Sequence, residues 1–204
     1  MILKYPVKKV YISQPFGFDN TNHPLRKNFY IVFDHKHPGV DFKTSIGTEI
    51  FAAYPGIVVR NEYNKGMGNV IGTRYGNIVI LYAHLSKPLA KLGQTIKTGD
   101  TIGLSGGTGE HCTHPHLHFE LRDITKPTLK EMIFEPEFNY PIKQFKETFT
   151  YTVFNENTKK TLKFLALRYF GDENYWKKIL EANPKLDNTD KLIENGTKIT
   201  VPNY

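Results

Sequence analysis

The sequence predicts a mainly β fold, an antiparallel sheet domain followed by a small α/β unit in the order strand, helix, helix, strand. Three observations carry this. Up to about residue 125, turn-forming residues such as Pro38-Gly39, Pro55-Gly56, Gly76, Gly93, Gly99 and Gly106-Gly107 recur roughly every eight to twelve residues. The runs between them are short and rich in β-branched and aromatic side chains. Helical periodicity is absent there and emerges only after residue 160.

Residues 49–53 (EIFAA), 56–60 (GIVVR), 77–82 (NIVILY) and 101–104 (TIGL) read as strands. The stretch 125–147 carries Pro127, Pro136 and Pro141 and reads as a connector with one short helical turn. Residues 148–154 (TFTYTVF) alternate like a strand. Leu162, Leu165, Ala166 and Tyr169 then fall at helical spacing, and Gly171-Asp172 ends that helix. Residues 175–181 (YWKKILE) form a second helix stopped by Asn183-Pro184, and 197–201 (TKITV) a last strand. The expected organisation is a sheet domain over 1–126, a connector over 127–147 and a second unit over 148–204.

The 204 residues are 39% hydrophobic and carry both signs of charge, which argues for a folded chain and against disorder. The formal charge of +7 favours an anionic partner. Nucleic acid is the first such partner and an anionic cell wall the second, but the lysines and arginines are scattered in short pairs such as Lys8-Lys9, with no basic stripe interleaved with aromatics, so the nucleic-acid signal is weak. Cys112 is the single cysteine, so the fold does not depend on an intramolecular disulfide. No apolar run has the length of a membrane span, and the first residues do not read as a signal peptide. The chain is therefore expected to be made in the cytoplasm, and action outside the cell would need something else to release it.

Most of the eight histidines fall in two short segments, His35-Lys-His37-Pro-Gly-Val-Asp41 and His111-Cys-Thr-His114-Pro-His116-Leu-His118-Phe-Glu120, with His84 in Tyr82-Ala-His84-Leu. On a strand, His116, His118 and Glu120 share one face while Leu117 and Phe119 face the core. Pro38-Gly39 argues against a helix between His37 and Asp41, so that pair is expected on extended or turning backbone. Neutral imidazole and carboxylate are ligands that zinc accepts, and a catalytic zinc site takes three of them with one position open. Glu120 reads equally as a partner for a ligand imidazole or as a surface residue. His23, His35 and His111 read as structural, and Cys112 as a loop thiol.

These segments resemble the lysostaphin-type, or M23, family of zinc metallopeptidases. The resemblance runs from about Ile12 to Arg122 through Ser13-Gln-Pro-Phe-Gly17, His37-Pro-Gly-Val-Asp41, Tyr82-Ala-His84-Leu-Ser and Gly106-Gly-Thr-Gly109 into His116-Leu-His118-Phe-Glu120. It implies an antiparallel M23-type fold, zinc (Zn2+) as cofactor, His37, Asp41 and His118 as its ligands, and His84 and His116 as catalytic histidines beside the water and the scissile carbonyl. Either histidine could be the general base; the strand that holds His116 beside His118 favours His116. His114 departs from the small residue that the family carries there.

Residues 148–204 resemble a LysM module through Tyr151-Thr-Val153, Leu165-Ala166, Tyr169, Tyr175-Trp176, Asn183-Pro184 and Gly196-Thr-Lys-Ile-Thr-Val-Pro202. The resemblance implies an N-acetylglucosamine glycan as partner. The loop 154–161 departs from it, being about three residues longer than the Gly-Asp-Thr turn beside the sugar groove. Together these readings imply an endopeptidase of bacterial peptidoglycan, of phage-lysin or virion-tail type, with phage virion or tail proteins as further partners. The alternative is a non-catalytic wall-binding, activating or virion structural protein that keeps the peptidase fold.

Overall fold

A computed structural model describes residues 1–138, 148–153, 161–170, 173–186, 192–194 and 196–202. The strands are β1 (Ile12–Gln14), β2 (Val40–Lys43), β3 (Glu49–Phe51), β4 (Gly56–Asn64), β5 (Gly68–Tyr75), β6 (Ile78–Pro88), β7 (Thr95–Ile96), β8 (Thr101–Ser105) and β9 (His116–Asp123). Then come the one-turn helix α1 (Leu129–Met132), β10 (Ile133–Phe134), β11 (Phe149–Thr152), helices α2 (Leu162–Phe170) and α3 (Trp176–Glu181), and β12 (Lys198–Val201).

One large antiparallel sheet runs in the order β1-β2-β9-β6-β5-β4-β7, with β8 and β10 joining β6 and β9, and β3 paired to β8. Alternation divides its side chains. Ile80 and Tyr82 of β6, Phe42 of β2, and Leu117, Phe119 and Leu121 of β9 enter the main core. Val79, Leu81 and Ala83 of β6 face the other way and pack with Val70. In register, Leu81 lies opposite Glu120 and Ala83 opposite His118, while His118 lies opposite Asp41 across β2. The second face therefore grades from small apolar residues into a line of polar ones. At each large core side chain, burial contributes roughly 1.5–3 kcal/mol.

The second unit has the expected order. β11 pairs with β12 antiparallel, and α2 and α3 lie between them in sequence. Leu165 and Tyr169 are core residues and Trp176 is half-buried. The residues expected to end α2, Gly171-Asp172, and the departing loop 154–160 lie outside the described residues.

Two details differ from the sequence reading. Residues 133–138, expected within a connector, add to the sheet: Ile133 and Phe134 pair with Arg122 and Leu121, and Phe138 bridges to Leu3. The prolines spaced them like a linker, but Ile133 is fully buried and Phe138 stacks on Tyr5 at 4.6 Å. The second unit also shares the main core. Tyr151, Leu162, Leu165, Phe170 and Val201 belong to the same buried cluster as Phe42 and Phe119. Tyr151 bridges to Phe18, and its hydroxyl donates to the buried Glu135 carboxylate at 3.0 Å. Lys198 pairs with Asp19. Among the described residues, no helix is long and apolar enough to cross a membrane.

Candidate metal centre

Period-2 alternation on β9 sets His116, His118 and Glu120 on the second face of the sheet, beside Asp41 of β2. His37 precedes β2, and two backbone hydrogen bonds seat it. Its N–H donates to Phe18 O at 2.9 Å, and its carbonyl accepts from Gly17 N–H at 2.8 Å. Gly39 lets this segment press against β9. A Cβ there would lie 2.4 Å from Phe119 O and 2.9 Å from His118 Cε1.

His84 reaches the same face by another route. Simple alternation after Ala83 would turn it into the main core. Instead its backbone is left-handed, with φ at 61°. The pairing of β6 shifts here from β9 to β8, and Leu85 returns to the core. An extra residue in the strand thus carries its side chain out to join Ala83. A histidine held at positive φ costs of order 1 kcal/mol or more, a strain typical of functional positions.

His37, Asp41, His84, His116 and His118 are all buried. The donor atoms of three converge: His37 Nε2 lies 3.1 Å from Asp41 Oδ1 and 3.1 Å from His118 Nδ1, which lies 2.9 Å from the same Oδ1. The opposite ring nitrogens are already engaged. His37 Nδ1–H donates to Pro15 O at 3.0 Å, and His118 Nε2–H donates to Glu120 Oε2 at 3.2 Å. Both imidazoles therefore turn a lone pair toward the carboxylate. A proton on His118 Nδ1 satisfies one side of this triangle and leaves the His37 lone pair facing another acceptor. A cation satisfies all three. Ligands at about 2.0–2.1 Å from zinc in tetrahedral array lie roughly 3.3–3.4 Å apart, close to the separations here.

The same contacts set the charges of these groups. Burial opposes the charge on Asp41, yet His37, His116 and His118 hold its carboxyl well below the ordinary range. Burial also opposes the His118 cation, but hydrogen bonds with Asp41 and Glu120 outweigh it and lift the imidazole to about 9. Glu120 is pulled down against its own burial by His118 and Arg122, so it is an anion behind the imidazole. Its burial resolves the two sequence readings in favour of the imidazole partner.

His84 and His116 face this triangle, with ring centroids 4.7 Å apart. His84 Nδ1–H donates to Thr108 O at 2.8 Å, and His116 Nδ1–H to His114 O at 2.7 Å. Among the described residues no hydrogen bond to His84 Nε2 is found, and His116 Nε2 lies 3.5 Å from Asp41 Oδ1. Burial and the neighbouring histidines push His84 down to about 3, so it is neutral near pH 7. Cys112 also comes close, with Sγ 3.4 Å from His116 Nδ1. Burial raises that thiol to about 11, and it donates to His114 O, so it stays a thiol.

The other histidines have structural partners. His111 stacks on Phe29 at 4.4 Å, His35 Nδ1–H donates to Lys27 O, and His23 Nδ1 accepts from Arg26 N–H. His114 is exposed at the rim, beside Arg26. Sequence reasoning missed the three carbonyls, of Pro15, Thr108 and His114, that select the tautomers. It also missed Arg26, whose guanidinium donates to Gln14 and Thr113 and so ties the 18–35 segment to the loop before β9.

Residues 35–129 match the model of peptidase family M23. The fold agrees with the catalytic domain of lysostaphin from Staphylococcus simulans, at a TM-score of 0.53 and 32% identity, over 62% of this chain and 89% of that domain. The chain belongs to the M23 metallopeptidases. A second structural neighbour, a zinc-containing peptidase from Vibrio cholerae, has a TM-score of 0.52 and 32% identity, over 63% of this chain and 39% of its own. In sequence, the peptidoglycan DD-endopeptidase ShyC of Vibrio cholerae is 37% identical over 118 residues, 56% of this chain and 27% of that protein. The chain spans about a quarter to a third of the length of such curated relatives. The cofactor of the M23 site is zinc, in keeping with the His, Asp, His donor set.

Proposed function

We propose that this chain is a zinc endopeptidase that hydrolyses peptide bonds in bacterial peptidoglycan, with His37, Asp41 and His118 as zinc ligands and His84 and His116 as the catalytic histidines. The observation that carries the reading is the division of labour among five buried side chains: three donor atoms within about 3 Å of one another, and two imidazoles whose Nδ1–H groups are fixed on backbone carbonyls. The substrate class follows the relatives, one named a peptidoglycan DD-endopeptidase and another the antimicrobial peptidase lysostaphin. The basic charge suits an anionic wall.

Zinc, when bound, supplies a Lewis acid that polarises the scissile carbonyl and acidifies water. The protein supplies the rest. His116, with Nδ1–H fixed on His114 O, accepts a proton from water at Nε2. That Nε2 lies 3.5 Å from Asp41 Oδ1. His116 can then return that proton to the leaving amine. His84, on the other side, holds its Nε2 toward the same space and orders the water. Buried walls exclude bulk solvent and strengthen these interactions. The βααβ order supports a LysM-like reading of the second unit, and with it a glycan as partner.

Incubation of the zinc-loaded protein with defined peptidoglycans, followed by mass spectrometry of the products, tests the reading. New amino termini at peptide cross-links are expected. Release of sugar fragments alone would refute it. His84→Ala and His116→Ala should each keep about one zinc per chain and lower cleavage at least ~100-fold. If either variant cleaves at the wild-type rate, its histidine has no catalytic role. Glu120→Gln keeps the shape and removes the charge behind His118. Zinc affinity should fall roughly 10–100-fold in competition with a chromophoric chelator, and unchanged affinity would show that the carboxylate is idle.

A further inference from the structure

A cavity of about 320 Å³ lies between residues 8–9 and 43–49, and Lys43, one of its lining residues, shares a strand with Asp41. Lys43 places it. It follows Asp41 by two positions on β2 and lies opposite His116 in register. Residues two apart on a strand share a face and are separated by roughly 7 Å. The charge of Lys43 reaches His114 at the cleft rim.

The lining is rich in donors. Lys8 is paired with Glu49 across the mouth at 2.9 Å, an exposed pair. Lys9 and Lys43 have no carboxylate partner among the described residues; Lys43 Nζ lies over the Tyr11 ring, 5.5 Å from its centroid. Thr44 Oγ1 is buried and has no hydrogen-bond partner among the described residues. The nearby Ser45 carbonyl is consumed by Thr48 N–H, Thr48 Oγ1 and Ser105 Oγ, at 3.1, 2.8 and 2.6 Å. The cavity therefore offers two unpaired ammonium groups and an unsatisfied hydroxyl, with a principal carbonyl acceptor already occupied.

We propose that this cavity is a substrate subsite that reads a carboxylate on the peptide about two residues from the scissile bond. The proposal rests on the peptidase reading of the adjacent site. An extended peptide lying along the sheet face past His116 passes Lys43 after about that length. A carboxylate there accepts from Lys9 and Lys43 and from Thr44, a charge-assisted set stronger than neutral hydrogen bonds. The subsite selects acidic peptides and disfavours their amidated counterparts.

The test uses the zinc-loaded full chain and a set of cross-linked peptides in which each carboxyl group is amidated in turn. For the wild type, amidation of the carboxylate two residues from the cleaved bond should lower kcat/KM about 10-fold, mainly through KM. Amidation elsewhere should matter less. In the double variant Lys9→Met/Lys43→Met, checked for an unchanged melting temperature, the two forms should be cleaved equally. Lys43→Arg with Lys9 intact should restore the preference. Equal cleavage of all forms by the wild type, or a preference that survives in the double variant, overturns the subsite and leaves the peptidase reading standing. Failure to cleave any peptide overturns the peptidase reading, and the subsite with it.

Discussion

Alanine in place of His118 is expected to empty the metal centre and to lower wall hydrolysis by roughly 1,000-fold or more. His118 is central because it joins both halves of the arrangement. Its Nδ1 meets Asp41 and His37, while its Nε2–H meets Glu120. Without it, two donors remain where a catalytic zinc needs three. The carboxylates of Asp41 and Glu120 are then left buried with less compensation, so stability falls as well. Metal analysis should drop from about one zinc per chain to near none. Zinc binds the folded state and raises its stability by mass action, so a chelator should lower the melting temperature of the wild type and leave that of the variant unmoved. Stoichiometric zinc together with wild-type activity in His118→Ala would remove His118 from the ligand set.

Ending the chain after residue 147 should have an effect as large, and through the fold. The second unit closes the core. Tyr151, Leu162, Leu165, Phe170 and Val201 are buried in one cluster with side chains of β2 and β9. Each such side chain contributes roughly 1.5–3 kcal/mol, and a domain's whole margin is about 5–15 kcal/mol. Truncation would also strip Tyr151 from the buried Glu135 carboxylate and from its bridge to Phe18. Phe18 O is the acceptor that seats His37. The shortened chain is therefore expected to melt at least ~10 °C lower or to fail to fold, and any folded fraction should bind zinc more weakly. A truncated protein with unchanged melting temperature and zinc affinity would show that the unit is separable.

The polar half of the metal centre was legible because period 2 is a strong constraint. His-Leu-His-Phe-Glu on a strand must put His116, His118 and Glu120 on one face, and β9 does so. The strand rhythm and the βααβ order were legible through turn residues and apolar spacing. Three things were not. The carbonyls that choose the tautomers leave no mark in the side-chain sequence, because every residue has one. The orientation of His84 depends on a backbone angle that histidine rarely adopts, and alternation alone sends it to the wrong face. Prolines at 127, 136 and 141 looked like a linker, because the residue type punctuates edge strands and loops alike. The packing of Ile133 and Phe138 against the sheet depends on partners far away in sequence.

The left-handed turn at His84 has an evolutionary reading. The residue is surplus to the ladder, present in the strand but counted by neither neighbour as a regular step. Losing that one codon would let β6 run straight from Ala83 to Leu85, with every core side chain still inward. The result would be a calmer sheet and a silent cleft. On the proposed role of His84, a chain lacking this one residue is expected to keep all three metal donors and lose cleavage.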